Sequence, residues 1–472
     1  MNSILEINNL TYQLPQTSCA GRQIQKTRTF AFPSSYTDIQ AGTVIPIVFN
    51  TGSAYIDGRQ SSLNFTLKCN VGALELMKYF AFDFGGAYEN SGASILNLIS
   101  EIYLESRDGS ILYRQNYTNI MQTVREYKIS IEKKNMLTLI GGANDNTVYF
   151  DGVKGSVFPN YRVNLENNFN IPLSSLCPFF NTSNLLLPEL IAGLKLTLVF
   201  AKPKNNIVAI DNNFAQIIIP ENITFDISNV SLYLHQVDLY DGVQSVLRNS
   251  LIQSKEGLKF PFYCHHNSRF RPESTNFTYD VQLSCQNISY VAIKFYKRNV
   301  APALLGQSPI APRSIFDLSG QLNDENSLGF SVRAKLNNQY YPSYAILSAT
   351  EAYINTCQAL NSISYSDTDD IDVLKNINKL SCGVVPYSSY CYNKHNDSTE
   401  LHDSGQSKGG FIIAIDLQKS NNISLSGVQT SQGKTISIEI QGLKNYDRID
   451  LYTQVEYLSI VSVTENNCII SK

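Results

Sequence analysis

The residues that could do chemistry gather between positions 364 and 410. Gly405-Gln406-Ser407-Lys408-Gly409 spells G-x-S-x-G, with His402 and Asp403 just ahead, the residue types of a serine hydrolase. A nucleophile elbow needs a strand before it and a helix after it, so that the serine sits on a strained turn beside backbone N–H donors. Here a polar loop precedes Ser407 and an alternating apolar run follows. That context makes the glycines loop-shaping residues and Ser407 a solvated hydroxyl. Cys382, Cys391, His395 and His402 are zinc-ligand types, but their spacing matches no structural-zinc pattern. Asp367, Asp369, Asp370 and Asp372 resemble the opening of a calcium loop that lacks its glycine and distal glutamate. Val373, Leu374, Ile377 and Leu380 follow at helical spacing, so these acids suit a helix N-terminus. Upstream, Cys264-His265-His266 puts neighbours on opposite faces of an extended chain, where they cannot converge on one ion. No phosphate-binding glycine loop or dinucleotide fingerprint is present. The expectation is a protein with no catalytic residue, no cofactor and no metal.

Composition narrows the class further. A chain of 472 residues exceeds what one core normally serves, so two domains are expected. Charged residues make up 16% and the net charge is -3, which argues against a basic surface for wrapping nucleic acid. Nine cysteines are scattered without a C-x-x-C pair and read as mostly reduced, half-buried thiols. The N-terminal stretch lacks a charged region followed by an apolar core, and the longest apolar segment is broken by Lys195. Secretion and membrane spanning are therefore disfavoured, and sequons at Asn64 and Asn276 read as coincidences.

The elements that must position any site are mainly strands. Period-two alternation, which puts every second side chain on one face of a sheet, runs through Leu63, Phe65, Leu67, Cys69 and Val71. It recurs at Leu194–Phe200, at Val291, Ile293 and Phe295, at Phe411, Ile413, Ile415 and Leu417, and at Ile436, Ile438 and Ile440. Tyr452–Val463 is apolar on both faces, the pattern of a buried central strand. Ile102 and Leu104, then Asp108-Gly109, then Ile111 and Tyr113 predict a hairpin with a type I′ turn. Two helices are expected. One carries Tyr117, Ile120, Met121, Val124, Lys128 and Ile131 on a stripe. The other opens on the Ser348/Glu351 capping box and buries Ala352, Tyr353, Thr356, Ala359, Leu360 and Ile363.

Many short strands with one clear helix per half predict an all-β chain of paired antiparallel sandwiches, eight strands split between two sheets in each. No internal repeat is visible, and the break falls near Tyr240–Gly257, before Leu258 opens a new apolar run.

Several patches together carry a family likeness. Phe32-Pro33 to Ala41-Gly42, Asn50-Thr51-Gly52, Tyr55-Ile56-Asp57-Gly58 and Ser62-Leu63-Asn64-Phe65 are similar to the first strands of one family. Ile171-Pro172-Leu173-Ser174-Ser175, Leu187-Pro188 and Leu194–Leu198 match its loop and strand late in the first half, and Ile227–Leu232 its closing strand. Gln339-Tyr340-Tyr341-Pro342 ahead of the Glu351-Ala352 helix, and Gly409-Gly410-Phe411 to Leu417, match the second half. In this order and spacing the chain resembles the double jelly-roll major capsid proteins of eukaryotic DNA viruses, particularly those of polinton-like viruses and virophages.

The resemblance implies two consecutive eight-stranded jelly rolls with a few short helices in the inter-strand loops. It implies an N-terminal arm at 1–30, a first roll at 31–245 and a second at 246–472, with a surface insertion at about 364–407. Function would be structural: a non-enzymatic subunit of an icosahedral virion shell, assembled inside the host cell as trimers forming pseudo-hexameric capsomers. Its partners would be itself, neighbouring capsomers, and minor capsid and penton proteins, without sequence-specific nucleic-acid binding. The competing readings are a minor capsid or penton protein, a carbohydrate-binding β-sandwich and a β-sandwich glycoside hydrolase. Sugar sites favour Trp platforms, and the chain has none.

Overall fold

The computed structural model describes residues 26–31, 36–49, 51–52, 54–70, 79–82, 95–127, 149–151, 166–181, 185–201, 207–210, 216–217, 224–237, 239, 242, 244–245, 249, 258–285, 287–297, 327–336, 339–360, 412–418, 430, 435–443, 446–463 and 468–471. In the first half these form β1 (Lys26–Ala31), β2 (Tyr36–Ile39), β3 (Val44–Val48), β4 (Tyr55–Asn70), β5 (Tyr79–Phe82), β6 (Ile99–Glu105) and β7 (Ile111–Gln115). Helix α1 (Thr118–Tyr127) follows, then β8 (Tyr149–Asp151), β9 (Glu166–Pro172), α2 (Leu173–Leu176), α3 (Pro188–Ile191), β10 (Lys195–Phe200), β11 (Ile207–Ile210), β12 (Gln216–Ile217) and β13 (Thr224–Val237). The second half holds β14 (Leu258–Phe270), β15 (Phe277–Val281), β16 (Ile288–Lys297), β17 (Ser327–Leu336), β18 (Gln339–Ser348), α4 (Ala349–Ala359), β19 (Ile412–Asp416), β20 (Ile436–Gln441), β21 (Ile449–Val463) and β22 (Cys468–Ser471).

Both halves use one topology. The first pairs a sheet β1-β13-β4-β9, with β2 also on β13, against β3-β10-β6-β7; the second pairs β14-β21-β16-β19, with β22 on β21, against β15-β20-β17-β18. Counting the principal strands of a half in chain order, with β1 and β2 as one interrupted strand, the two sheets run 1-8-3-6 and 2-7-4-5 in each. That is the strand order of a jelly roll. A fifth sheet, β12-β11-β5-β8, is built from segments that interrupt the 3–4, 5–6 and 7–8 connections of the first roll. Because successive strands reverse direction, all three connections leave the roll at the same end.

Alternation produces the cores as expected. Leu63, Phe65 and Leu67 on β4, Leu196, Leu198 and Phe200 on β10, and Ile436, Ile438 and Ile440 on β20 are buried. The β6–β7 turn is a hairpin, but not of the type the Asp-Gly pair predicts. Only Gly109 has positive φ, at 83°, and its N–H donates to the Ser106 carbonyl at 3.0 Å while Ser106 N–H donates to the Ser110 carbonyl at 2.9 Å. This is a type I turn followed by a left-handed glycine. Asp108 favours it by accepting from the Ser110 N–H at 3.1 Å, which fixes the turn locally. Ile171-Pro172, matched above to a loop, closes β9 and runs straight into α2.

Helix α4 begins where the capping box puts it. Glu351 N–H donates to Ser348 Oγ at 3.1 Å, and the Ser348 N–H donates back to Glu351 Oε2 at 3.1 Å. Ser348→Ala is expected to cost about 1 kcal/mol, read as a lower thermal midpoint and faster amide exchange in the first turn of α4. Unchanged exchange there would sink the assignment. Ala352, Thr356, Ala359 and Leu360 are buried as predicted. The side chain of Tyr353, and residues Ile363, Lys128 and Ile131, lie outside what the structure describes, as do all candidate groups from Asp367 to Gly409 and most of the break at 240–257. Strand β1 begins at Lys26, so its first five residues fall in the stretch assigned to the arm.

Candidate functional site at the junction of the two halves

The sheet β14-β21-β16-β19 is a central layer, buried on both faces. Val291, Ile293 and Phe295 on β16, Ile413 and Ile415 on β19, and Leu451 and Val455 on β21 belong to the large sandwich core. Their neighbours Tyr290, Ala292, Ile412, Ala414 and Tyr452 point the other way, into a second cluster with Ile120, Met121 and Val124 of α1 and Ala359 and Leu360. The predicted α1 stripe is thus core, but it is the second half's sheet that it covers. Apolar content on both faces of β21 has this cause.

Two polar side chains of this layer hydrogen-bond across the junction. Lys294 is fully buried, and its Nζ donates to the Ile120 carbonyl at 2.9 Å. Asn267 Nδ2 donates to the Asn116 carbonyl at 2.6 Å. These two bonds grip the backbone leading into and opening α1. Between them, Tyr117 holds φ at 53°, a conformation that a bulky L-residue adopts only at a cost. Its carbonyl accepts the first helical bonds from Ile120 and Met121, and its ring meets Tyr452 edge-on at 5.2 Å.

Cys264-His265-His266 sits on β14 and divides between faces as extended geometry requires. Cys264 joins the sandwich core. His265 is buried on the junction side, with Nε2 3.0 Å from Glu456 Oε2 and Nδ1 3.5 Å from the Tyr113 hydroxyl. Burial, and then the Glu456 charge, push the neighbouring Tyr263 phenol above its ordinary value. Nearby, Arg269 donates to the buried Asp450 carboxylate at 2.5 Å. Burial opposes the Arg269 charge, yet Tyr452, Asp450 and Tyr117 together raise its pKa. Beyond this polar band the junction turns aromatic: Phe179 packs edge-on against Phe180 and against Phe262 of β14, each at 5.3 Å, and Phe180 stacks on Phe49 at 5.6 Å.

This arrangement joins the two rolls through a buried, hydrogen-bonded junction. The apolar stripe of α1 was legible in the sequence, but the polar residues of the junction were not. Lys294 and Asn267 look like solvent-facing positions of half-buried strands, and the one available signal was a strand apolar on both faces. Among the described residues, no group of three or more His, Cys, Asp or Glu side chains is placed to hold a metal ion, and no helix is long and apolar enough to cross a membrane.

No protein-family model matches the chain, and no curated protein matches it by sequence. Solved structures do. A chain of the PBCV-1 virus capsid aligns over 98% of this chain and 100% of its own length, at 12% identity and a TM-score of 0.52. The Sputnik virophage structure aligns over 98% and 90%, at 12% identity and a TM-score of 0.55. The Faustovirus major capsid protein aligns over 98% and 94%, at 10% identity and a TM-score of 0.51. With the strand order repeated in both halves, the chain has the double jelly-roll fold of these viral capsid structures.

Proposed function

We propose that this chain is a major capsid protein, a structural and non-enzymatic subunit of an icosahedral virion shell. The observation that carries the reading is the repeated jelly-roll order in both halves, joined by a buried junction and aligned almost end to end with capsid chains. A two-roll block suits tiling: three copies in a closed ring present six similar rolls, a pseudo-hexagonal unit whose symmetry limits its growth. The arm at 1–30, first roll at 31–245, second roll at 246–472 and insertion at about 364–407 are the working division. Minor capsid and penton proteins are its further partners, and the virion capsid its location. Light scattering with negative-stain imaging of purified protein tests this. A three-chain particle of hexagonal outline is expected; a stable monomer that binds glycans would sink it.

A further inference from the structure

Gln115, Tyr113, His265 and Glu456 form a chain of polar side chains across the junction, and all four are buried. His265 and Glu456 stand opposite each other on β14 and β21, while Tyr113 and Gln115 come from β7 of the first roll. Such a chain is governed by its protons, because each buried donor or acceptor left without a partner costs stability. Here the protons can be counted.

Tyr113 has one hydroxyl proton, and it is donated to Gln115 Oε1, an oxygen that can only accept. Toward His265 Nδ1, 3.5 Å away, the hydroxyl therefore turns a lone pair, so Nδ1 carries a hydrogen. On the other side of the ring Nε2 lies 3.0 Å from Glu456 Oε2. Two lone pairs facing at that distance repel, so a second hydrogen lies between them. The imidazole and the carboxyl group together hold two protons, one more than a neutral imidazole beside an ionised carboxylate. Whichever atom keeps the second proton, the pair has no net charge. Burial favours that state, since an uncompensated carboxylate is costly to take out of water.

Other ionisable groups on the elements packed here differ in position or charge. On β14, burial and then the Glu456 charge hold the Tyr263 phenol neutral, and His266 takes the opposite face, across from Val455 of the sandwich core. Arg114 of β7 turns away, over the Tyr103 ring. The turn Pro178–Asn181, which also packs on β14, has no ionisable side chain. Arg269, paired with Asp450, and Lys294, bound to the Ile120 carbonyl, both stand opposite Tyr452, four residues along β21 from Glu456.

We propose that the junction is proton-linked: the His265–Glu456 pair closes with one proton bound, so the joint between the two rolls responds to acidity. The proposal goes beyond the capsid reading and does not depend on it. Between about pH 4.3 and about pH 6.5 an unfolded chain carries that same proton on its histidine, so the full contribution of the pair is present. Above that window folding must draw the proton from solution, and the unfolding equilibrium constant rises about tenfold per pH unit for one proton. Below it the unfolded glutamate gains a proton too, and the contribution falls again.

The test is denaturant unfolding of the full chain at one protein concentration, from about pH 6.5 to about pH 8, with wild type compared against His265→Gln. Wild type is expected to lose about tenfold in folding equilibrium constant relative to the variant across that range. Curves that run parallel, or a wild type that gains on the variant as the pH rises, overturn the proposal, because the buried pair would then hold no extra proton. Should His265→Gln fail to fold, Tyr113→Phe takes its place, since it keeps the ring and removes only the oxygen that faces Nδ1. A shallower pH dependence than wild type is then expected, and one equally steep overturns the proposal.

Discussion

Phe179→Ala is expected to destabilise the chain by about 3–5 kcal/mol, the range for emptying a fully packed phenylalanine site. Phe179 is fully buried, and its two edge-on partners belong to different halves, Phe180 to the first and Phe262 to the second. Each such pair adds roughly 0.5–1.5 kcal/mol beyond its buried area, so a single truncation loosens the seam as well as the local core. The measurement is denaturant unfolding followed by tyrosine fluorescence, convenient in a chain with 28 tyrosines and no tryptophan. Phe262→Ala in the same background should cost less than it does alone, since contacting residues are not additive. A loss below about 1 kcal/mol for Phe179→Ala, against the usual cost of an aromatic cavity, would show that the seam is not what holds the halves together.

Gly58→Ala is expected to cost about 1–3 kcal/mol through overpacking, a large effect for one added methyl group. A Cβ at this position would lie 2.7 Å from the Phe180 carbonyl oxygen and 3.1 Å from its Cα. Those are backbone atoms, so no rotamer change relieves the contact. Residues 58–61 stand opposite Leu234 alone in the β4–β13 ladder, between the Asp57↔His235 and Ser62↔Tyr233 pairs. This bulge is pinned from both sides: Ser61 Oγ donates to the Asp57 carbonyl at 2.7 Å and accepts from the His235 N–H at 3.0 Å. Neither backbone can retreat freely, and the strain passes to Phe180 and its stack on Phe49. Comparing the unfolding midpoint of Gly58→Ala with wild type decides the point. An unchanged midpoint would mean that the 178–181 segment moves aside without penalty.

Much of the local structure was legible in the residues. Alternation located β4, β10, β16 and β20 because a sheet face packed into a sandwich core imposes period two on its strands, and a run apolar on both faces located β21. The Ser348/Glu351 pair marked the start of α4 because the cap is made between residues three apart. The hairpin between β6 and β7 was visible too, though its turn type was not: Asp-Gly permits more than one turn, and the Asp108 hydrogen bond to Ser110 selected the one adopted. The fifth sheet went unseen, since strands of two to four residues such as β5, β8 and β12 are too short to display a period.

By itself, then, the sequence determined which faces are apolar, where helices cap and where strands turn, all matters settled within a few residues. It also specified that β21 is buried on both sides, without saying by what. Tertiary structure alone decided that α1 of the first half covers the second half's sheet and that Lys294 and Asn267 bind backbone carbonyls across the seam. Those pairings join residues far apart in the chain, as Leu63 joins Leu232 and Phe270 joins Leu451. A periodic pattern reports that a face is buried. The partner that buries it is chosen by long-range packing, which leaves no local mark on the chain.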